Sequence, residues 1–267
     1  MKLLSACIIA FAISLLIFFC FMKLGAFQGK EGGAPVSRNY SKFAGYFTPA
    51  ENSPDGFTAA TAAAGSVVHV WVKSRLADNG LYIEESERIS GSGSGVIISR
   101  NGFIITNNHV VKDASSVRVT LPDRRLYDAE LVGIDAAHDL ALLKINQNNL
   151  DAIPFGNSDV ARVGDWVLAI GYPWSLDETI TAGIISAKPS QTGSPGSAYI
   201  QTDAVINFGS SGGALVNTNG ELVGINTAII SPTAASIGYG FAMPANTVYN
   251  IIKSILKKRG IKDDRYN

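Results

Sequence analysis

One glycine-flanked serine and the position of every histidine before it constrain this chain most. The stretch Gln201-Thr202-Asp203-Ala204-Val205-Ile206-Asn207-Phe208-Gly209-Ser210-Ser211-Gly212-Gly213-Ala214-Leu215-Val216 sets a serine loop between two apolar runs that read as strands. Glycine tolerates the tight backbone such a loop needs and lets another group approach closely. A nucleophilic serine requires an exposed hydroxyl, a base, and backbone N–H groups free to hold an oxyanion. Ser211 is the candidate nucleophile, with the N–H groups of Gly209 and Ser211 as candidate donors. A plain glycine-serine turn is the competing reading of the motif alone.

Chain order separates the possibilities. The pattern also fits G-x-S-x-G, but chains that use that elbow run Ser, then Asp or Glu, then His. The three histidines here, His69, His109 and His138, all precede Ser211. No base follows the serine, so that architecture is excluded. What survives is His, Asp, Ser, the chymotrypsin-like order.

His109 arrives at the end of a strand-like run, Phe103-Ile104-Ile105-Thr106, behind the turn Asn101-Gly102. Asp139 opens the apolar run Leu140–Ile145, where an acid needs a partner, and orienting His109 supplies one. Asp135 is the rival acid and suits a turn better. His138 reads as a surface neighbour, and His69, within the strand-like run Ser66–Val72, as a packed or rim residue. The run Gly91-Ser92-Gly93-Ser94-Gly95 is not followed by the helix or G-K-S/T of a phosphate cradle, so its small residues are read as allowing close strand packing.

Further short runs recur at 117–121, 129–135, 164–171, 178–186, 198–201, 222–226 and 238–243, separated by turns and glycine-bearing loops, which indicates all-β barrels. Phe57–Ala64 reads as a short helix. The end of the chain is helical, with Val248, Ile251, Ile252, Ile255 and Leu256 on one stripe. Asn246 or Thr247 can cap it, Lys257, Lys258 and Arg259 suit its C-terminus, and Gly260 can stop it.

Leu3–Met22 is uncharged and long enough to span a bilayer, and 1–24 reads as a transmembrane anchor or signal-anchor. Residues 25–55 read as a linker with aromatics at Tyr40, Phe43, Tyr46 and Phe47, then a domain over 56–260 and a tail over 261–267. Lys+Arg and Asp+Glu are equal at 22 each, which offers no long-range attraction to nucleic acid. Both cysteines, Cys7 and Cys20, fall in the apolar run, so the rest has neither disulfide nor cysteine metal site. No histidine pair has metal-binding spacing, and neither metal nor cofactor is expected.

Thr106–Val111, Gly133–Asp135 with Asp139–Ala141, Gln201–Asp203 with Gly212–Leu215, Ile225–Ile229 and Gly240–Pro244 together resemble the HtrA/Deg serine proteases. The resemblance covers roughly Phe57 to Gly260. It implies a chymotrypsin-like double six-stranded β-barrel with a C-terminal helix, here preceded by one transmembrane helix. It implies His109 as base, Asp139 as orienter and Ser211 as nucleophile, with an oxyanion hole at Gly209, Ser210 and Ser211. It places the substrate pocket at Val205, Ile225, Asn226 and Thr227.

It further implies cleavage of unfolded or misfolded proteins, in envelope quality control, by a homotrimer. The protease domain would face the periplasmic or extracellular side of the cytoplasmic membrane. The apolar Val205 predicts cleavage after small or medium apolar residues. The family commonly has a PDZ domain, proline at position 208 and asparagine at 210. Here the chain runs seven residues past Gly260, and Phe208 and Ser210 occupy those positions. A catalytically silent binding protein on the same fold is the alternative reading.

Overall fold

Short β-branched runs separated by turns pair only with antiparallel neighbours, and twelve such strands close into two six-stranded barrels. The computed structural model describes residues 56–74, 88–173, 177–189, 198–227 and 238–262. These fall within one compact unit, Asn52–Asn267. The expected membrane segment and linker lie outside the described residues, among which no helix is long and apolar enough to cross a membrane.

The chain enters through helix α1 (Gly56–Ala62) and a 3-10 turn (Ala63–Ser66). The first barrel comprises β1 (Val67–Ser74), β2 (Arg88–Ile97), β3 (Phe103–Asn107), β4 (Ser116–Thr120), β5 (Leu126–Asp135) and β6 (Leu140–Ile145), in the order β1-β2-β3-β6-β5-β4. A short helix, α2 (Asn108–Val111), follows β3. The second barrel comprises β7 (Trp166–Gly171), β8 (Thr179–Ala187), β9 (Ile200–Thr202), β10 (Ala214–Asn217), β11 (Leu222–Thr227) and β12 (Gly240–Pro244). Its order, β7-β8-β9-β12-β11-β10, repeats that of the first. The glycine-serine run is part of β2 rather than a lead-in to it.

Several strands are buried along nearly their whole length because they have an interior on each side. Successive side chains of a strand face opposite ways. In β6, Ala141 and Leu143 point into the first barrel while Leu140 and Leu142 join the core between barrels. In β7, Val167 and Ala169 fill the second barrel, and Leu168 and Ile170 face the shared core. Continuous apolar runs such as Phe103-Ile104-Ile105 are therefore barrel strands packed on both faces, not buried helices.

Helix α3 (Ala245–Arg259) joins the two halves by packing its apolar stripe against β11 and β5. Ile252 is fully buried in the shared core. Gly260, at φ 66°, ends the helix as expected, and its N–H caps the Lys257 carbonyl. The N-terminus differs from expectation. Helix α3 begins at Ala245 behind Pro244 with no side-chain cap. Asn246 is already inside the helix, where its side chain accepts from Ser158 N–H and donates to Asn157, tying the helix to the inter-barrel segment.

Candidate active site

The first barrel supplies an acid and a base at adjoining strand ends. Asn107 pairs with Leu140, so the chain leaving β3 lies beside the residue entering β6. That register brings His109, in α2, against Asp139. The ring Nδ1 of His109 lies 2.5 Å from Asp139 Oδ2, and the His109 backbone N–H donates to Asp139 Oδ1 at 2.8 Å. A carboxylate accepting at Nδ1 fixes the tautomer that leaves Nε2 free as a base.

Asp139 is itself held in place. Its carbonyl accepts from Asn108 N–H at 3.0 Å and from the Asn107 side chain at 2.9 Å. Its φ of 54° is a left-handed conformation that non-glycine residues seldom adopt. Such backbone persists where surrounding bonds over-determine it. Asp135 has the turn role expected of it, but His138, read only as a surface neighbour, pairs with it at 3.0 Å, apart from His109 and Asp139.

The second barrel supplies Ser211 on two successive turns. Ser210 N–H donates to the Asn207 carbonyl at 2.9 Å, and Gly213 N–H donates to the Ser210 carbonyl at 3.0 Å. Gly209 and Gly212 occupy the third position of each turn, with φ of 90° and 84°, while Phe208 and Ser211 have no positive φ. These are type II turns, which favour glycine at that position. At Gly212 a Cβ would also fall 2.2 Å from the Ser94 carbonyl oxygen.

This turn geometry decides which N–H groups are available. A type II turn spends only the N–H of its fourth residue. Among the described residues, the N–H groups of Gly209 and Ser211 have no acceptor, whereas Ser210 N–H is committed to Asn207. Of the three residues expected at the oxyanion hole, only Ser210 has its N–H spent within the loop. Ser210 closes the turn, and Gly209 and Ser211 are the available donors.

The two halves meet at β2. Ser94 N–H donates to the Ser211 carbonyl at 2.8 Å. A Cβ on Gly93 would lie 2.7 Å from the Val110 side chain and 3.3 Å from the Ser211 carbonyl oxygen. Val110 follows His109, so the base and the serine loop converge on this strand. Close packing explains the glycines at 93 and 95, as the sequence suggested, whereas a Cβ on Gly91 would meet nothing within 4 Å.

Of the four expected pocket residues, two have fully buried side chains. Ile225 is fully buried in the shared core, and Asn226 is fully buried with its side-chain amide donating to the Ala214 carbonyl at 2.9 Å. Neither has side-chain surface to offer a substrate. Val205 is exposed, with its carbonyl accepting from Thr181, and Thr227 lies at the end of β11. Tyr199 borders the site from the second barrel, and burial together with the Asp139 charge raises its phenol above the ordinary value.

Sequence reasoning missed Ser94 and the stack beside it. Ser94 Oγ donates to the Gly209 carbonyl at 2.6 Å and accepts from Tyr172 N–H at 2.9 Å. His69, opposite Ser94 in the β1–β2 ladder, is sandwiched between Trp71 at 3.9 Å and Tyr172 at 5.2 Å. Its Nε2 is buried without a partner, and burial lowers its pKa to about 4. Burial and the nearby Glu178 charge push the Tyr172 phenol up to about 12. Ser94 is the last of three serines in β2 and stands next to its apolar end, and that position was the available signal, since a buried hydroxyl requires partners.

The trypsin-like peptidase domain family matches residues 93–225. Among solved structures, the HtrA-type protease AlgW with a decapeptide superposes with a TM-score of 0.66 at 39% identity, covering 76% of this chain and 67% of that one. The chain belongs to the HtrA family of serine proteases. AlgW with a tripeptide gives a TM-score of 0.68 at 40% identity, over 77% of this chain and 64% of that one. Periplasmic serine endoprotease DegP of Escherichia coli (strain K12) is 47% identical over 182 residues, 67% of this chain and 38% of DegP. The probable periplasmic serine protease do/HhoA-like of Haemophilus influenzae is 49% identical over 179 residues, 65% of this chain and 38% of that protein. This HtrA chain thus matches well under half the length of those curated relatives.

Proposed function

We propose that this chain is a serine endopeptidase working through an acyl-enzyme. His109 Nε2 takes the Ser211 hydroxyl proton as Oγ attacks the scissile carbonyl carbon. The N–H groups of Gly209 and Ser211 receive the negative oxygen of the tetrahedral intermediate. The imidazolium, oriented and stabilised by Asp139, returns its proton to the leaving amine. Water, deprotonated by the same imidazole, then attacks the acyl carbon, releasing the carboxylate product and restoring Ser211.

The observation that carries this reading is the two-point hold of Asp139 on His109, facing a serine loop with two unspent N–H groups. An oriented base and a prepared anion site are what acyl transfer requires.

The substrates we propose are unfolded or misfolded proteins, cut after small or medium apolar residues with Val205 and Thr227 at the pocket. We place the protease domain on the periplasmic or extracellular side, anchored through 1–24, in envelope quality control. The periplasmic naming of its relatives supports that side. A homotrimer formed through the start of the domain fits the half-exposed Trp166 beside Phe57, whose rings lie 5.7 Å apart.

The deciding experiment incubates the detergent-solubilised full chain, and its Ser211→Ala variant, with an unfolded casein-like protein. Cleavage by the native chain alone is expected. Equal cleavage by both would overturn the serine mechanism, and none by either would leave the alternative of a binding protein on this fold.

A further inference from the structure

The hydroxyl of Ser94 has both its bonding directions assigned. It accepts from Tyr172 N–H at 2.9 Å, so its own proton is directed to the Gly209 carbonyl at 2.6 Å. The peptide plane joining Gly209 to Ser210 is consequently pinned at both ends. Its oxygen receives Ser94 Oγ–H, and its N–H closes the turn onto Asn207. The plane joining Ser211 to Gly212 is pinned in the same manner. Its oxygen receives Ser94 N–H at 2.8 Å, and its N–H donates to the Asn226 carbonyl at 2.8 Å.

One residue of the first barrel therefore grips the peptide planes on both sides of the Ser210–Ser211 plane, which carries the unspent Ser211 N–H, and the first of those gripped planes directly follows the one that carries the unspent Gly209 N–H. Ser94 is in turn fixed from behind, because Thr106 Oγ1 donates to its carbonyl at 2.7 Å. The grip comes from outside the loop, which matters because glycine at 209 and 212 gives the loop little stiffness of its own. Ser210, next to the nucleophile, carries no charge that an ion pair could use to hold the loop.

We propose that Ser94 is a positioning residue for the oxyanion loop. Its hydroxyl, oriented by Tyr172 N–H, sets the Gly209–Ser210 plane and thereby keeps the Gly209 and Ser211 N–H groups convergent on one point. This rests on the serine endopeptidase reading above. A misaligned anion site weakens transition-state binding and leaves ground-state binding of substrate largely unchanged.

The test replaces Ser94 with alanine in the full chain and follows hydrolysis of an unfolded protein and of a peptide derived from its cleavage site. We expect kcat to fall about 10- to 100-fold with KM within about twofold. A control is Ser158→Ala, which removes a buried hydroxyl that accepts from Asn246 N–H away from this loop. It should leave both constants unchanged even where it lowers the melting temperature equally. In a crystal structure of Ser94→Ala, the bond between Ser210 N–H and Asn207 should be broken and the Gly209–Ser210 plane rotated.

If Ser94→Ala does not fold, Ser94→Cys, which keeps a group of similar shape with a weak donor, carries the same expectations. A folded variant with native kcat, a loss carried wholly by KM, or an unmoved Gly209–Ser210 plane would overturn the proposal. Ser211→Ala, run in parallel, separates the two readings. If it cleaves like the native chain, the serine mechanism fails, and the crystal comparison alone decides the role of Ser94.

Discussion

Asp139 grips His109 at two points, its Oδ2 at the ring Nδ1 and its Oδ1 at the backbone N–H of the same residue. One carboxylate thus sets both the ring orientation and the placement of the helix turn that carries it. Converting Asp139 to Asn leaves the shape nearly unchanged but puts an amide where Nδ1–H must donate. The wrong tautomer is then favoured, and kcat should fall by about 10⁴-fold with a near-native melting temperature. Steady-state kinetics beside circular dichroism would check this, and loss of fold instead of rate would argue for a structural role.

A Cβ at position 212 would stand 2.2 Å from the Ser94 carbonyl oxygen, on backbone already at φ 84°. Gly212→Ala should therefore both strain the turn and push the serine loop off β2. The positive φ alone costs roughly 1–2 kcal/mol, and the clash adds to it. Urea unfolding should give a lower midpoint than the native chain, with activity lost in the folded fraction.

Protonation of the buried His69 links stability to pH. Its folded-state pKa is lowered to about 4 from 6.5, so between those values the unfolded chain holds more proton than the folded one. Stability therefore declines as pH falls through that window and flattens below it. The full shift corresponds to at most about 3–4 kcal/mol. His69→Phe preserves a ring between Trp71 and Tyr172 but cannot titrate. Its urea midpoint should fall less steeply between pH 6.5 and 4, and parallel curves would refute the assignment.

Val205 presents an apolar, exposed side chain beside the serine loop. Sequencing the termini of products should show small or medium apolar residues at P1. Val205→Asp should reduce those cuts and introduce cuts after Lys or Arg, by an amount typical of pocket charge changes, about tenfold or more. Unaltered cut sites would remove Val205 from the pocket.

The pairing of His109 with Asp139 was legible because acyl-transfer chemistry restricts such groups to few residue types in a fixed order. With three histidines, all upstream of the serine, little else fitted. The double barrel was legible from short strands and turns, and α3 from its apolar stripe and Gly260. Ser94 was not, because its value lies in contacts with residues 115 and 78 positions away. Sequence reading credited its neighbours with close packing and stopped there. The spent N–H of Ser210 and the buried side chains of Ile225 and Asn226 were not legible for a related reason. Motif membership marks a neighbourhood, whereas which atom faces the cleft depends on turn type and strand face.

The repeated strand order places acid and base on one barrel and the nucleophile on the other. The reacting groups therefore exist as a set only after both barrels have closed and docked. A copy still emerging from the ribosome, with its first barrel complete and its second unmade, has no serine to activate. On the proposed mechanism, this division of labour makes completion of folding a safety catch on the reaction.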